Sequence, residues 1–311
     1  MKKPSVGRVI WSCILPLLIF LGVDTVISFV AMFAISFIEA FKAGSAAMSD
    51  FGAAYNDIMN STMDMFMKYA LYFTLARCVI VVPIFFVLMN RRDKREMKEG
   101  TFVRYEKFNK FWLLLIVPLG IVACIGFNNL VMMIAELAQS FIDYIIESFN
   151  LGVEYNIFGA FNETSEVIYS GGIVLQVLAT CVGAPFAEEL LFRGLIHKNL
   201  RKVMNMVPAM LISSLLFGII HGNIIQCIYA TLIGIICAFV YEKFKTIWAP
   251  IILHATANSF AVITTFITTG SESEGVGLGL GGYVLYTVIL ISMTVGFMLV
   301  IEKNVNRKEI Q

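Results

Sequence analysis

Long apolar stretches recur along the chain and alternate with short polar segments. At a rise of 1.5 Å per residue, a helix of about 20 apolar residues crosses the roughly 30 Å hydrocarbon core of a bilayer. The pattern therefore predicts an all-α polytopic membrane protein with about eight transmembrane helices. The predicted spans cover residues 9–38, 69–89, 111–137, 173–192, 207–221, 224–241, 247–268 and 283–301.

The composition agrees with a membrane protein. Hydrophobic residues make up 59% of the 311 residues and charged residues 14%, whereas soluble domains carry about 25% charged residues. The net charge of +1 provides no field that would attract nucleic acid, so we expect no nucleic-acid partner. The six cysteines lie within apolar runs without a C-x-x-C pair, which indicates small buried hydrophobes and neither disulfides nor a zinc motif.

The charges of the loops predict the orientation, because Lys and Arg concentrate on the cytoplasmic side of a membrane. Residues 91–110 contain eight Lys or Arg residues, whereas residues 138–172 contain five carboxylates and no Lys or Arg. The segment after residue 192 is basic again, and so are both ends of the chain. An even number of spans with both termini cytoplasmic follows, in a multi-pass protein of the plasma membrane.

We find no internal repeat and no soluble domain, so the chain is interpreted as one membrane domain, 1–311, with its motif-bearing core at about 173–268. Lys2, Lys3 and Arg8 before the first apolar run resemble a signal peptide. Because that run continues to residue 38, we expect a retained first span. The glycine-rich stretch 270–282 is expected to be an outer loop.

Ionisable side chains inside the spans are the best indicators of function, since each costs several kcal/mol in hydrocarbon unless it is paired or faces a polar cavity. Asp24 in the first span and Arg77 in the second lie at a similar depth, about 20 to 25 Å from the cytoplasmic face. We expect them to form a structural ion pair.

A larger group lies in the second half of the chain. Glu188 and Glu189 are adjacent, and Arg193 follows Glu189 by four residues, which places those two on one helix face in the favourable order. Glu188 points about 100° away and has no such partner. Two adjacent carboxylates cannot both ionise cheaply in an apolar setting, so pairing of Glu189 with Arg193 would leave Glu188 free for proton transfer.

The chain has three histidines, and two of them lie inside apolar spans. His221 ends the fifth span, and His254 shares a helix face with Asn258 in the seventh. Each histidine alone could simply pack between helices, but together with the glutamates they indicate a site. His197 lies beside Lys198 in a basic segment, and we interpret it as a solvated or headgroup residue.

Glutamate, histidine and asparagine on separate helices could support two kinds of hydrolytic chemistry. They supply a base, a second acid or base, and hydrogen-bond donors for an oxyanion, which suffices to activate water against an amide. Glu188, His221 and His254 could instead bind a divalent metal such as zinc. Ligand type does not separate these alternatives, and no H-E-x-x-H motif is present to favour zinc.

Three motifs resemble those of the CPBP family of intramembrane proteases, which includes CAAX prenyl proteases and bacteriocin-processing enzymes. Residues 188–193, EELLFR, resemble its E-E-x-x-x-R motif. Residues 217–221, FGIIH, resemble F-x-x-x-H, and residues 254–258, HATAN, resemble H-x-x-x-N. They occur in the family's order within residues 188–258, and the predicted count of eight spans is similar to that of the family.

The resemblance implies an endopeptidase that acts on membrane-associated or hydrophobic peptides. Glu188 would be the general base on water, with His221 sharing in its activation, and Glu189 would be held by Arg193. His254 and Asn258 would stabilise the oxyanion, and Phe217 would support the site. The family is commonly labelled metalloprotease, so a zinc ion is the alternative cofactor, whereas the residues themselves require none.

Two other functions compete with proteolysis. A non-catalytic member could sequester a membrane peptide as a bacteriocin self-immunity protein, although a pure binder would not need both glutamates and both histidines. A proton-coupled transporter would also keep carboxylates in the membrane, but it should show an inverted repeat, and none is visible. In each case the expected partners are the lipid bilayer and a membrane-embedded protein or peptide.

The predicted depths of the candidate residues disagree. Counting helical rise from the basic loops places Glu188 about 8 Å and His254 about 10 Å below the cytoplasmic edge, but His221 about 20 Å. A single site requires similar depths, so we expect either that the fifth span is tilted, or that the helix of residues 193–202 dips into the headgroup region and the fifth span begins at a different depth than Val207 predicts.

Overall fold

The computed structural model describes residues 5–44, 51–105, 109–170, 172–269, 279–305 and 309–310. Lys2 and Lys3, most of the glycine-rich stretch and the basic residues at 307–308 lie outside this part. Nine helices are described here as α1 to α9: Val6–Ala43, Phe51–Lys98, Ile116–Ser148, Gly159–Ser170, Ile173–Leu200, Met206–Ile219, Ile224–Phe244, Trp248–Thr269 and Leu280–Asn304.

The helices confirm the predicted all-α polytopic fold. Seven of them are long and apolar enough to cross a membrane. The predicted fifth span corresponds to α6, whose 14 residues cover only about 21 Å and end part-way through a bilayer. The β structure in the described ranges is one two-residue pair, β1 (Arg104–Tyr105) with β2 (Glu309–Ile310), which runs antiparallel.

Helix α5 is irregular and longer than predicted. Two π-helical segments, Val177–Gly183 and Leu190–His197, flank a short α-helical stretch, Ala184–Glu189. Insertions of this kind are frequent at functional sites because they change which side chains share a helix face. The predicted end at residue 192 is wrong, since the helix continues to Leu200.

Contacts between helix ends define the two faces of the bundle. Asn199 at the end of α5 donates a hydrogen bond to the Ser12 carbonyl near the start of α1 (3.1 Å). Lys243 near the end of α7 pairs with Glu302 near the end of α9. We call this side the terminal face. The opposite face carries α4, the start of α5, the end of α8 and the start of α9.

Apolar clusters between the helices form the core. One joins α1, α2 and α5, and a second joins α3, α7, α8 and α9. A third packs Val131 of α3 and Ile225 of α7 against Phe161 of α4. The six cysteines are free thiols, five of them buried and Cys227 half-buried, which confirms the prediction that they are apolar core residues.

Candidate active site

Glu189 and Arg193 form a fully buried ion pair within α5. Arg193 Nη1 lies 2.9 Å from Glu189 Oε1, and both side chains have 0% exposure. Arg193 also donates from Nη2 to the Gly234 carbonyl of α7 (2.7 Å) and lies over the Phe217 ring at 4.8 Å. The predicted contact between Glu189 and Arg193 is therefore present. The same guanidinium also connects α5 to α6 and α7.

His254 connects the two glutamates. Its Nδ1 lies 3.0 Å from Glu189 Oε1, and its Nε2 lies 3.9 Å from Glu188 Oε2. Because an ionised carboxylate only accepts hydrogen bonds, Nδ1 carries the proton of that bond. Glu189 thus holds Arg193 and orients His254 with a single oxygen, which the sequence did not predict.

The turn after α6 places His221 beside the same aromatic ring. His221 donates from Nδ1 to the Phe217 carbonyl (2.8 Å), which leaves Nε2 as the proton acceptor of the neutral ring. Gly222 then adopts a positive φ of 79°, which L-residues rarely adopt. Asn223 starts α7 by accepting the Gln226 amide at 2.8 Å.

Phe217 lies between the two histidines. Its ring contacts the His221 ring edge-on at 5.0 Å between centroids and the His254 ring at 5.5 Å. The extension of α5 to Leu200 puts Glu188 about 18 Å from the end of its helix instead of 8 Å, close to the depth predicted for His221. The mismatch between Glu188 and His221 therefore came from the predicted end of the fourth span.

Asn258 lies one turn after His254 and contacts α5. It donates from Nδ2 to the Thr180 carbonyl at 2.7 Å. Thr180 belongs to the first π-helical segment of α5. Sequence reasoning missed Thr180 and Gly234, since both act through backbone carbonyls and neither carries a recognisable sequence signal.

A cavity of about 1030 Å³ connects the candidate residues. Side chains from all three motifs line its wall. The cavity also extends between α2, α3, α4 and α8. Glu188 is 7% exposed and His254 is 5% exposed, so both reach this space only at their tips. The motif residues on its wall are Glu188, Phe217, His221, His254 and Asn258.

The described residues do not fit a metal ion. Within the described ranges, no group of three or more His, Cys, Asp or Glu side chains could hold one. The Nδ1 atoms of His221 and His254 are bonded to the Phe217 carbonyl and to Glu189, a pairing that metal-binding histidines also show. The alternative ligand set of Glu188, His221 and His254 does not form a three-residue metal cluster in the described part of the chain.

His197 differs from its prediction. The side chain is fully buried instead of solvated, and its Nε2 lies 2.8 Å from Glu242 Oε1 of α7. Arg201 donates to the same Glu242 oxygen at 2.7 Å, and Ser213 of α6 lies 3.3 Å from His197 Nδ1. The segment after residue 192 is basic because it pairs with carboxylates of neighbouring helices, and not only because it lies at a membrane surface.

Asp24 and Arg77 form the ion pair that the sequence predicted. Arg77 Nη1 lies 2.8 Å from Asp24 Oδ1, and the Phe20 ring lies 4.7 Å from the guanidinium. Arg77 also lines the cavity. The pair thus joins α1 to α2 at the edge of the candidate site.

Comparison with known proteins gives the same assignment for the second half of the chain. Residues 170–260 match the model of a family described as type II CAAX prenyl endopeptidase Rce1-like. The putative membrane peptidase YdiL of Bacillus subtilis (strain 168) is 34% identical over 117 residues, which cover 36% of this chain and 47% of that protein. The chain thus matches about half the length of this curated relative, and no solved structure matches it. Residues 170–260 are therefore similar to intramembrane proteases of the CPBP family, the family whose three motifs the sequence resembles.

Proposed function

We propose that the protein is an intramembrane endopeptidase in which Glu188 activates water against a peptide bond. The observation that carries this proposal is the convergence of Glu188, His221, His254 and Asn258 on one cavity, with Glu189 and Arg193 buried behind them. A carboxylate near a second acid or base and near amide donors is the arrangement that amide hydrolysis requires without a serine or cysteine nucleophile.

The proposed reaction starts with proton transfer from water to Glu188, assisted by His221 Nε2. The hydroxide oxygen bonds to the carbonyl carbon and converts the carbonyl oxygen into an oxyanion. The Asn258 amide and a protonated His254 Nε2 donate hydrogen bonds to that oxyanion. Glu188 then gives its proton to the amide nitrogen as the C–N bond breaks, which releases an amine and a carboxylic acid.

The decisive experiment compares new peptide termini in membranes that express the wild type or Glu188→Ala at equal abundance. We expect termini that appear with the wild type and disappear with Glu188→Ala and with His221→Ala. The matched control is Glu99→Ala, which removes an exposed carboxylate in the turn after α2 and should leave the termini unchanged. Termini that persist with Glu188→Ala would contradict the proposed role of this residue.

The classification as a metalloprotease leads to a separate test. Because the described side chains do not form a metal site, we expect the purified wild type to keep its proteolytic activity after treatment with a chelator. Activity is measured as the wild-type termini regenerated in reconstituted membranes. If the chelator abolishes activity and added zinc restores it, the protein requires zinc, and Glu188, His221 and His254 are then its candidate ligands.

A non-catalytic function is the second candidate, because a cavity of about 1030 Å³ could hold a peptide without cutting it. In that case the protein would act as a bacteriocin self-immunity or peptide-sequestering protein of the plasma membrane. Identical termini in the wild type and Glu188→Ala, together with equal protection of the producing cell by both, would favour this candidate over the protease.

A further inference from the structure

The cavity extends from the candidate catalytic residues in one direction only. On α5 it is lined by Thr180, Ala184 and Glu188, and none of the residues 189–200 lines it. On α8 its lining begins at His254 and continues to Thr265, while residues 248–253 take no part. Along both helices, the cavity thus runs from the candidate site towards the opposite face.

The other helices show the same direction. On α2 the lining residues lie between positions 67 and 77, in the half of the helix that is remote from Lys98 and the terminal face. Tyr286, the lining residue on α9, lies six positions from the start of that helix at the opposite face. At 1.5 Å per residue, Glu188 lies about 22 Å along α5 from Ile173, where this helix starts at the opposite face.

Buried side chains close the other direction. Beyond Glu189, the side chains of Leu191, Phe192 and Arg193 have 0% exposure. His197 follows with 0% exposure and bonds Glu242 of α7. A peptide from the terminal face would have to displace this layer and separate buried charges, which costs several kcal/mol per ion.

Helix α4 lines the cavity at the opposite face. Phe161, Thr164 and Ser165 line the cavity from one side of this helix, whereas Glu163 and Glu166 are exposed on its other side. The segment between α3 and α5 contains no Lys or Arg. Its three carboxylates, Glu154, Glu163 and Glu166, are exposed, and so are Asp143 and Glu147 in the last turns of α3. The entrance is therefore negatively charged, and charges of one sign around a cleft concentrate ligands of the other sign.

We propose that peptides reach the active site from the face opposite to both termini, and that the preferred substrates are hydrophobic peptide segments with basic residues. This inference rests on the proposed function and names its substrate class. With the predicted cytoplasmic termini, it means that the peptide enters from the extracytoplasmic side of the membrane. A prenylated cytosolic protein would approach from the wrong side.

The test measures access without using catalysis. Ala261, which lines the cavity on α8, is replaced by cysteine in the full chain, and sealed vesicles of one orientation are treated with impermeant methanethiosulfonate reagents. Ser148→Cys on the exposed end of α3 marks the opposite face, and Lys303→Cys on the exposed end of α9 marks the terminal face. The natural chain gives the background of its own six thiols.

We expect Ala261→Cys to react from the side that labels Ser148→Cys. Reaction from the side that labels Lys303→Cys, or from neither side, would overturn the proposed route. If Ala261→Cys reacts from the side of Ser148→Cys, but membranes with the wild type and with Glu188→Ala contain the same peptide termini, the access route stands and the proposed protease activity is wrong.

The charge preference is tested with a trimethylammonium and a sulfonate reagent of similar size. Relative to the rates at Lys303→Cys, we expect the cationic reagent to modify Ala261→Cys about tenfold faster than the anionic one at low salt. Replacing Glu163 and Glu166 by glutamine should reduce this ratio, and so should high salt. Equal relative rates for the two reagents would overturn the preference for basic peptides.

Discussion

Each half of the chain contains an arginine paired with a carboxylate at membrane depth, and the surroundings of the two pairs differ. Glu189 and Arg193 have side chains with 0% exposure, whereas Arg77 is 17% and Asp24 is 48% exposed. Arg193 further bonds a backbone carbonyl of α7 and contacts Phe217 of α6. Arg77 contacts Phe20 of the neighbouring α1.

The helices that carry the pairs differ in the same way. In its most apolar window, α1 has 17% of its residues buried within the protein, against 44% for α5 and 50% for α7. A charge in the core must keep every partner because no solvent or lipid headgroup can replace one, whereas a peripheral charge can reach other partners. The comparison indicates that the candidate site lies in the buried interior of the bundle, whereas α1 lies at its periphery.

The largest effect is expected from Arg193→Ala. The change leaves Glu189 as a buried carboxylate without its cation, so we expect a loss of about 3 to 5 kcal/mol in the free energy of unfolding. Activity should be lost as well, because Glu189 also orients His254. Unfolding of the purified variant in detergent measures the first effect. A free energy of unfolding equal to that of the wild type would contradict the importance of this pair.

A smaller effect is expected where α6 and α7 approach each other. A Cβ atom on Gly218 would lie 2.1 Å from Thr231 Oγ1 and 2.4 Å from the Cys227 carbonyl oxygen. Gly218→Ala must therefore separate the helices, at a cost of about 1 to 3 kcal/mol in the free energy of unfolding. Gly296→Ala on α9 is the control, since its Cβ would meet nothing within 4 Å. Equal stability of the two variants would show that the core half is not tightly packed.

The smallest effect is expected from Asp24→Asn. Because Asp24 is about half exposed, its pair with Arg77 should contribute only about 0 to 1 kcal/mol. Stability should fall slightly while the proteolytic termini persist. Asp57→Asn, which changes an exposed carboxylate near the start of α2, controls for the loss of charge. Termini that disappear while stability is unchanged would move Asp24 and Arg77 into the catalytic machinery.

Much of the fold and of the candidate site was predictable because its signals are local. Apolar runs predicted the long helices, and the four-residue spacing predicted the Glu189–Arg193 contact that the structure contains. The limit of the fourth span was not predictable in the same way. Its basic end was assigned to the membrane surface, but those charges pair with Asp93, Glu96 and Glu242 of other helices.

The sequence by itself determined which segments are helices in a membrane and which residue types can carry chemistry there, since helical periodicity and the cost of charge in hydrocarbon depend only on the local chain. The tertiary structure decided that Glu189 bridges Arg193 and His254, that His197 is buried, and that the cavity runs towards the opposite face. These features depend on which neighbours desolvate and pair each group, and such neighbours lie far apart in the chain: Glu189 and His254, for example, are separated by 65 residues.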